Sequence, residues 1–412
     1  MFKIAVMGCG VVGSGVCDIL LAKQEEFSAR FKREVKLSYI VDVRKMPDTP
    51  YEKFLTDKAE DVFNDPEVRL IVVTIGGLEY PYLLSKRALS AGINVVTSNK
   101  EVVAAYAKEL SRIAFENKCR FLYEASSGGG IPIIRPLNIC LSSNDILEIQ
   151  GILNGTTNYI LTKMSTKGLS FDTVLKEAQQ KGYAEANPAA DVDGFDAARK
   201  IAILSSIAYK GFVEYNDVKC TGIRDVKAED HANAAKLGYV IKLIAGSKLL
   251  PDGSVTATVE PKLVPKDNIL AAVNSVYNAV LVKGSYTGDS LFYGKGAGKL
   301  ATASAVCGDI IEILGRPTED TLMPYVEKDL KVSNDTDIPC RFYLRFDITR
   351  AIEDSVSIAM REIFGPETVF AAFGGVLGMI TPPIKESAVE GLTRAFEAAT
   401  DTDFGCSMRV LE

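Results

Sequence analysis

Residues 1–13 constrain the fold of this chain more than any other stretch. The run IAVM after Lys3 has no polar alternation, which is typical of a strand buried on both faces of a parallel sheet. GCGVVG follows, and then a helical stretch, VCDILLAKQEEF. Gly8 permits a tight turn, Gly10 lets a phosphate approach the backbone, and Gly13 lets helix and strand pack closely. We therefore expect a dinucleotide site, with the pyrophosphate at the helix N-terminus.

Strands and helices continue to alternate after this unit. The strand VKLSYIV ends at Asp42, where a ribose-binding carboxylate belongs, and the charged insert EEFSARFKRE accounts for its distance from the glycines. The strands LIVVTI, NVVTS and RFLYEAS follow, the first two each leading into a helix. Ligands bind at the carboxyl ends of such strands. The predicted cofactor-binding residues are Gly8, Gly10, Val11, Val12, Gly13, Asp42, Arg44, Ile75, Gly76, Ser98, Lys100 and Gly298.

The strand that ends at Asp42 leaves the choice of cofactor open. The Asp42 carboxylate favours the free ribose hydroxyl of NAD, because it repels a 2′-phosphate. Arg44 and Lys45 lie just beyond it and could instead clamp the phosphate of NADP. We expect both cofactors to work.

Residues 181–200, KGYAEANPAADVDGFDAARK, concentrate charge at a loop that leads into a helix. The Asn-Pro pair excludes a regular helix in the first half, and the apolar pattern predicts a helix from about Phe195. Asp196 and Lys200 are four residues apart and share one helical face. Such pairs usually lie on the surface, but this helix is strongly apolar, so we expect Lys200 near buried surface. The preceding loop contributes Glu185 and Asp191.

Composition excludes several other chemistries. The 412 residues include a single histidine, His231, which excludes His–carboxylate catalysis and multi-histidine metal sites, and we expect it on a polar helix surface. A net charge of −6 with interspersed signs argues against nucleic acid or an anionic membrane as partner, and no apolar run is long enough to span a bilayer. The eight cysteines form no CxxC pair and indicate reduced thiols in a cytoplasmic protein.

The rest of the chain predicts two further domains. We expect an α/β Rossmann-type domain at 1–138 and an α+β catalytic and dimerisation domain at 139–312. Within the second domain, the small-residue segment 294–312 would pack back on the first. A polar linker with few contacts at 313–337 and a small α+β domain at 338–412 complete the prediction.

These motifs together resemble those of the homoserine dehydrogenase family. The resemblance rests on GCGVVG, VVTSNK, EASSGGGIPII, GILNGTTNYILTKM, GYAEANPAADVDGFDAARK and GKGAGKLATASAV, and covers about residues 1–312. It implies reversible NAD(P)H-dependent reduction of L-aspartate 4-semialdehyde to L-homoserine, in threonine, methionine and isoleucine biosynthesis. It also implies catalytic lysines at Lys100 and Lys200, with Lys200 as proton donor, and substrate binding by Glu185 and Asp196.

The resemblance extends to a cation and to the last domain. It implies a possible sodium ion held mostly by backbone carbonyls at Glu124, Ser127, Gly129 and Ile131, and a homodimer or higher homo-oligomer. The C-terminal domain is similar to an ACT domain in its element order only, since ITRAIEDSV replaces the usual Pro-Gly turn.

Two alternatives remain beside this reading. A phosphorylating semialdehyde dehydrogenase would need an activated cysteine, and no cysteine here has a histidine near it in sequence. A non-catalytic amino-acid sensor with the same fold would have no use for the acids and the two lysines together. Aldehyde reduction needs a hydride donor and a proton for the new alkoxide, and with one peripheral histidine a lysine is the natural source.

Overall fold

The structure, a computed structural model, describes residues 1–316, 328–333, 338–348 and 354–412. Its first part alternates strands and helices, as the sequence predicts. In chain order the elements are β1 (Phe2–Met7), α1 (Val11–Phe31), β2 (Val35–Val41), β3 (Leu55–Thr56), α2 (Ala59–Phe63), β4 (Val68–Val73), α3 (Glu79–Ser90), β5 (Asn94–Thr97), α4 (Lys100–Glu116) and β6 (Phe121–Leu122).

These six strands form one parallel sheet in the order β3-β2-β1-β4-β5-β6. The chain moves outward on one side of β1 and then returns to β4 on the other side, so the order reverses between β1 and β4. All residues of β1 but Lys3 are buried, and each buried Val or Ile contributes about 1.5–3 kcal/mol to folding. A Rossmann-type sheet of this kind opens its ligand cleft at the reversal point. The first part of the fold prediction is therefore confirmed.

The second part of the chain builds a mixed sheet covered by helices. Its elements are β7 (Ile146–Ile152), α5 (Gly155–Lys167), α6 (Phe171–Gln180), α7 (Ala189–Val192), α8 (Phe195–Ala208), β8 (Lys219–Cys220), α9 (Ala228–Lys236), β9 (Tyr239–Leu249), β10 (Val255–Pro265), β11 (Tyr277–Gly284), β12 (Gly288–Lys295) and α10 (Lys299–Gly315). Neighbouring long strands pair antiparallel in the order β12-β11-β7-β9-β10. This agrees with the α+β pattern predicted for the middle of the chain.

The C-terminal residues extend the same sheet. They form β13 (Phe342–Asp347), α11 (Asp354–Phe364), β14 (Val369–Phe373), β15 (Val376–Ile380), α12 (Glu386–Thr400) and β16 (Asp403–Val410). The four strands pair antiparallel in the order β16-β13-β15-β14, and β16 pairs in parallel with β10. The C-terminal unit therefore shares one continuous sheet with the middle of the chain.

The segment 313–337 is more firmly attached than its polar composition predicted. Residues 317–327 and 334–337 of this predicted linker lie outside the described residues. The stretch between them is held on both sides: Phe212 N–H donates to the Lys328 carbonyl at 2.7 Å, and Val255 N–H donates to the Lys331 carbonyl at 2.9 Å. The expectation of few contacts is wrong for residues 328–333, because their backbone groups complete hydrogen bonds that side-chain polarity does not reveal.

Helix α10 packs back against the first sheet, along α1. A Cβ atom at Gly15 would lie 2.9 Å from the Lys299 backbone oxygen, so the two helices touch at their backbones. At the other end of α10, the buried Asp309 carboxylate accepts the Glu124 N–H at 2.9 Å and an Arg135 N–H at 2.7 Å. These contacts place the glycine turn that precedes α10 over the cleft. The domain boundaries themselves stay predictions.

His231 is buried, which corrects the expectation of a surface position. Only 4% of its surface is exposed, and burial lowers its pKa to about 4. Helix α9 packs between β9 and the C-terminal strands β14 and β15. Its polar sequence reads as a solvated face because the C-terminal strands that cover it lie more than a hundred residues further along.

In the described part of the chain, no helix has both the length and the apolar character of a membrane span.

A buried ion pair joins the C-terminal unit to α9. Arg345 on β13 donates to the Asp230 carboxylate at 2.8 Å, and the Tyr343 hydroxyl donates to the same carboxylate at 2.9 Å. Arg345 is 4% exposed and Asp230 is fully buried. Removing one partner of such a pair leaves a charge without compensation in a dry environment.

We predict that Arg345→Met destabilises the protein by about 3–5 kcal/mol, because it strands the Asp230 carboxylate. Urea unfolding followed by circular dichroism measures the loss. Arg394→Met is the matched control, since Arg394 forms an exposed i,i+4 pair with Glu390. That control should change stability by no more than about 0.5 kcal/mol. Equal, small losses for both variants would contradict the structural role of the Asp230–Arg345 pair.

Candidate active site

The glycine turn after β1 has the geometry of a phosphate-binding loop. A Cβ atom at Gly13 would lie 2.0 Å from the Gly8 carbonyl oxygen, so only glycine lets the first turn of α1 approach the strand this closely. A Cβ atom at Gly10 would meet nothing within 4 Å, which leaves its backbone open to a ligand. Helix α1 begins at Val11, whose side chain is 70% exposed. Its free N–H groups and dipole favour an anion at this end.

Asp42 lies beside this turn and is paired with Arg44. The Asp42 carboxylate accepts the Cys9 N–H at 2.7 Å and two guanidinium bonds from Arg44, at 2.9 and 2.8 Å. The Arg44 guanidinium holds the pKa of the Asp42 carboxyl well below its usual range, against the opposing effect of burial. Arg44 remains largely exposed, so the pair presents a carboxylate and an exposed cation beside the glycine turn.

The other predicted cofactor residues lie around the same edge of the sheet. Ile75 and Gly76 follow β4, Ser98 follows β5, and Gly298 immediately precedes α10. The Ile75 side chain is within 2.7 Å of where a Cβ of Gly8 would stand, so it borders the glycine turn. The structure therefore places these residues at one opening, and their cofactor contacts stay predictions.

Asn99 fixes the start of α4 and was not singled out from the sequence. Its Oδ1 accepts the backbone N–H groups of Glu101 at 2.9 Å and Val102 at 3.0 Å, and its Nδ2 donates to the Ile75 and Gly77 carbonyls. An Asn at an N-cap position before a helical run is a signal that could have identified it. Because Lys100 is the next residue, this cap orients it toward the cleft.

Asp196 joins the two lysines of the predicted site. Its Oδ1 is hydrogen-bonded to Lys100, and its Oδ2 accepts a bond from Lys200 at 2.7 Å. Lys200 also donates to the Leu153 carbonyl at 2.8 Å. Asp196 is 3% exposed and Lys200 is 8% exposed, so the surface ion-pair reading is wrong for them. Helix α8 begins as predicted, after Gly194 at a φ of +89°.

Burial and charge shift the pKa values of this cluster in a consistent way. Burial acts to raise the pKa of Asp196, but Lys200 and Lys100 outweigh it and the pKa is lowered. Burial also lowers the pKa of Lys200, helped by Lys100 and opposed by Asp196. The carboxylate is therefore ionised, and Lys200 gives up its proton more readily than a lysine in water.

Asn154 connects the cluster to a second carboxylate and was also missed by sequence reasoning. Its Nδ2 donates to Asp191 at 2.7 Å and to Asp196 at 2.9 Å. It is also the N-cap of α5. Asn-Gly at the end of a strand reads as a turn, and nothing local indicates two acids 37 and 42 residues away.

Glu185 is not brought into contact with the lysines. Glu185 is exposed, and its backbone carbonyl accepts a hydrogen bond from the Gln179 side chain at 3.1 Å. In the ranges that the structure describes, none of the bonds of Lys100, Lys200 or Asp196 reaches it. Glu185 stands on the loop before α7, so its predicted role in substrate binding remains a prediction.

The predicted cation loop is tightly built around Glu124. The Glu124 carboxylate accepts the N–H groups of Ile133 at 2.6 Å, Ile134 at 2.8 Å and Arg135 at 2.7 Å. These three bonds occupy most of the roughly four acceptor positions of a carboxylate. The Ser126 and Ser127 hydroxyls beside it are buried and have no hydrogen-bond partner among the residues that the structure describes. The described residues include no cluster of three or more His, Cys, Asp or Glu side chains able to hold a metal.

Comparisons with known proteins agree with this geometry. The family described as homoserine dehydrogenase matches residues 132–311, and the one described as the homoserine dehydrogenase NAD binding domain matches residues 8–124. A homoserine dehydrogenase of Synechocystis sp. is 44% identical over 357 residues, which are 84% of this chain and 82% of that protein. One of Bacillus subtilis is 38% identical over 356 residues, covering 84% and 81%.

Solved structures extend the similarity to the whole fold. A homoserine dehydrogenase from Thiobacillus denitrificans superposes with a TM-score of 0.87 at 33% identity, covering 100% of this chain and 98% of that chain. A hyperthermophilic archaeal homoserine dehydrogenase in complex with NADPH has a TM-score of 0.64 at 28% identity, covering 77% and 99%. The resemblance seen in the motifs is thereby confirmed: this chain belongs to the homoserine dehydrogenase family of NAD(P)-dependent oxidoreductases that act on a CH–OH group.

Proposed function

We propose that Lys200 and Lys100 carry out the homoserine dehydrogenase reaction, the reversible reduction of L-aspartate 4-semialdehyde to L-homoserine. The observation that carries this proposal is the pair of lysines on one buried carboxylate, Asp196, at the cleft that begins with the glycine turn. When bound, NADPH or NADH supplies the hydride that the aldehyde carbon receives. The protein must then supply a proton and stabilise the oxygen.

Lys200 is placed to give that proton. An ammonium group has three N–H donors, and two of those of Lys200 are used by the Leu153 carbonyl and Asp196. The third is free for the carbonyl oxygen of the substrate. Its proton passes to this oxygen as the C–H bond forms, which leaves neutral Lys200 and the hydroxyl of homoserine. The lowered pKa of Lys200 favours this transfer.

Lys100 and the acids complete the proposed site. Lys100 is a second cation beside Lys200 and would stabilise negative charge on the forming alkoxide. Asp196 and Glu185 would bind the ammonium and hydroxyl groups of the substrate. Glu185 is exposed on the loop before α7, so a substrate could reach its carboxylate from solvent.

Both cofactors are expected to bind at Asp42. The archaeal relative was solved with NADPH, which supports the use of NADP by this family. In this chain Arg44 already neutralises Asp42, so a 2′-phosphate would meet a cation as well as a carboxylate. A free ribose hydroxyl would donate a hydrogen bond to the Asp42 carboxylate once Arg44 is displaced from it.

A sodium ion is the second proposed ligand. Glu124 retains about one acceptor position after its three backbone bonds. The backbone carbonyls of Ser127, Gly129 and Ile131 would supply the other oxygen ligands of the ion. The buried, unpartnered Ser127 hydroxyl supports a ligand at this loop. A bound cation would order the turn between the two domains, and no step of the reaction passes through it.

The C-terminal unit fits the proposal of an ACT-like domain. It has the order strand, helix, two strands, helix and strand, and its sheet order β16-β13-β15-β14 is that of a ferredoxin-like fold. The segment ITRAIEDSV, where the sequence departs from that family, lies largely outside the described residues.

We also propose a homodimer formed through the middle domain. All eight cysteines are free, in keeping with the proposed cytoplasmic location.

We predict that Lys200→Met lowers kcat by roughly 10²–10⁴, the usual contribution of a general acid. The Kd for NADP, measured by fluorescence, should stay within about twofold, because the glycine turn is remote from Lys200. Lys242→Met is the matched control: Lys242 is also a buried lysine, bonded to Asn274 and the Val273 carbonyl. The control should lose stability and keep its kcat. A folded Lys200→Met enzyme with a near wild-type kcat would refute the assignment.

We predict that Arg44→Ala shifts cofactor preference toward NAD by about tenfold in the ratio of kcat/KM values, because it removes the cation and leaves Asp42 to repel the 2′-phosphate. Steady-state kinetics with both cofactors measure the ratio. Lys36→Ala removes an exposed lysine of β2, the strand that precedes Arg44, and should leave the ratio unchanged. Equal losses with NAD and NADP in Arg44→Ala would show that Arg44 does not reach the ribose.

A further inference from the structure

The turn between β7 and α5 holds both charges of the proposed acid–base site. The Leu153 carbonyl accepts a hydrogen bond from the Lys200 ammonium group. The side chain of the next residue, Asn154, donates hydrogen bonds to Asp196 and Asp191. Asn154 is 5% exposed. A primary amide has two N–H donors, and the two carboxylates use both of them.

Two hydrogen bonds from Thr157 fix the orientation of the Asn154 amide. Its Oδ1 accepts the Thr157 N–H at 2.9 Å and the Thr157 hydroxyl at 3.0 Å. With the amide oxygen held by two donors, the NH₂ group must point at the acids. The backbone is also fixed, since a Cβ atom at Gly155 would lie 2.9 Å from the Val276 carbonyl oxygen. Asn154 therefore meets the carboxylates as a rigid donor.

The Asn154 amide joins two carboxylates, Asp191 and Asp196, in the protein interior. One nitrogen within 3 Å of both acids requires Asp191 and Asp196 to be near neighbours, and each opposes ionisation of the other. The charged groups that face Asp191 are Asp196 and Lys200 on α8 and Lys100 on α4. Both lysines are hydrogen-bonded to Asp196, so Asn154 is the direct donor to Asp191.

We propose that Asn154 is a positioning residue for the reaction: it holds Asp196 in the orientation that receives Lys200, and its second N–H donates to the Asp191 carboxylate and stabilises the charged form of that group. This inference rests on the function proposed above. Burial raises the pKa of Asp191, while the Asn154 bond lowers it and Asp196 raises it further. Loss of the amide donor therefore lets Asp191 take up a proton at a higher pH than in the native enzyme.

Two variants separate the donor from the helix cap. Asn154→Asp keeps the shape and the cap oxygen but has no N–H to give, and it adds a third carboxylate. Asn154→Ala removes both functions. Asn158→Ala is the matched control, because Asn158 lies one turn further on α5, is 1% exposed, and donates to the Val273 and Tyr277 carbonyls.

The first readout is the pH profile of kcat/KM for aspartate semialdehyde reduction. We expect its acidic limb to move to higher pH, by about one unit in Asn154→Ala and by more in Asn154→Asp. At neutral pH, kcat/KM should fall about 10–100-fold through misplacement of Asp196. The KM for NADPH should not change, and Asn158→Ala should keep the native profile.

The second readout needs no turnover. Titration of Asp labelled with ¹³C at the carboxyl carbon, assigned with Asp191→Asn, should give a higher midpoint for Asp191 in both Asn154 variants than in the native or Asn158→Ala protein. Unchanged midpoints, or an equal rise in Asn158→Ala, would overturn the proposal. If the native enzyme fails to reduce the semialdehyde, the proposed function falls, and the titration still decides the role of Asn154.

Discussion

The Asp196 carboxylate is the group on which the rest of the site depends. It is almost completely buried and is shared by Lys100, Lys200 and Asn154, which come from three separate elements. A carboxylate in such a place is stable only when cations and donors compensate its lost hydration. The need to satisfy this one charge therefore ties α4 of the first domain to the α5 and α8 helices of the second.

The two sheets provide the frame for this contact. In the parallel sheet β5 ends at Thr97, two residues before the cap residue Asn99, and in the mixed sheet β7 ends at Ile152, two residues before Asn154. Lys100 and Asn154 therefore lie where a helix begins shortly after a strand, whereas Lys200 lies within α8. Helix α10 returns to pack on α1 and holds the two domains in register through Asp309 and Arg135. The cleft between them thus contains the glycine turn and Lys100 from the first domain, and Asp196 and the proposed proton donor Lys200 from the second.

The sequence predicted local features well and long-range ones poorly. The apolar run of β1 and its glycines are sufficient for the first sheet, and the spacing of Asp196 and Lys200 places them on one helical face. Asn154 was missed because its partners are distant in sequence, and a turn residue gives no sign of them. His231 was misplaced because the strands that bury it belong to the C-terminal unit. Glu185 shows the reverse case: the sequence predicts a role in substrate binding, and the structure leaves the residue exposed.

We propose that Asp196 sets the protonation of Lys200, and the pH dependence of Asp196→Asn tests this role most directly. Asp196 raises the pKa of Lys200 against burial and Lys100, so its loss should lower that pKa. In the reduction direction activity is lost as pH rises through the Lys200 pKa. The basic limb of the residual kcat should therefore move about 1–3 units to lower pH. Asp193→Asn, at an exposed pair with Arg224, should leave this limb in place. If the basic limb of Asp196→Asn does not move, or moves to higher pH, Asp196 does not set the protonation of Lys200.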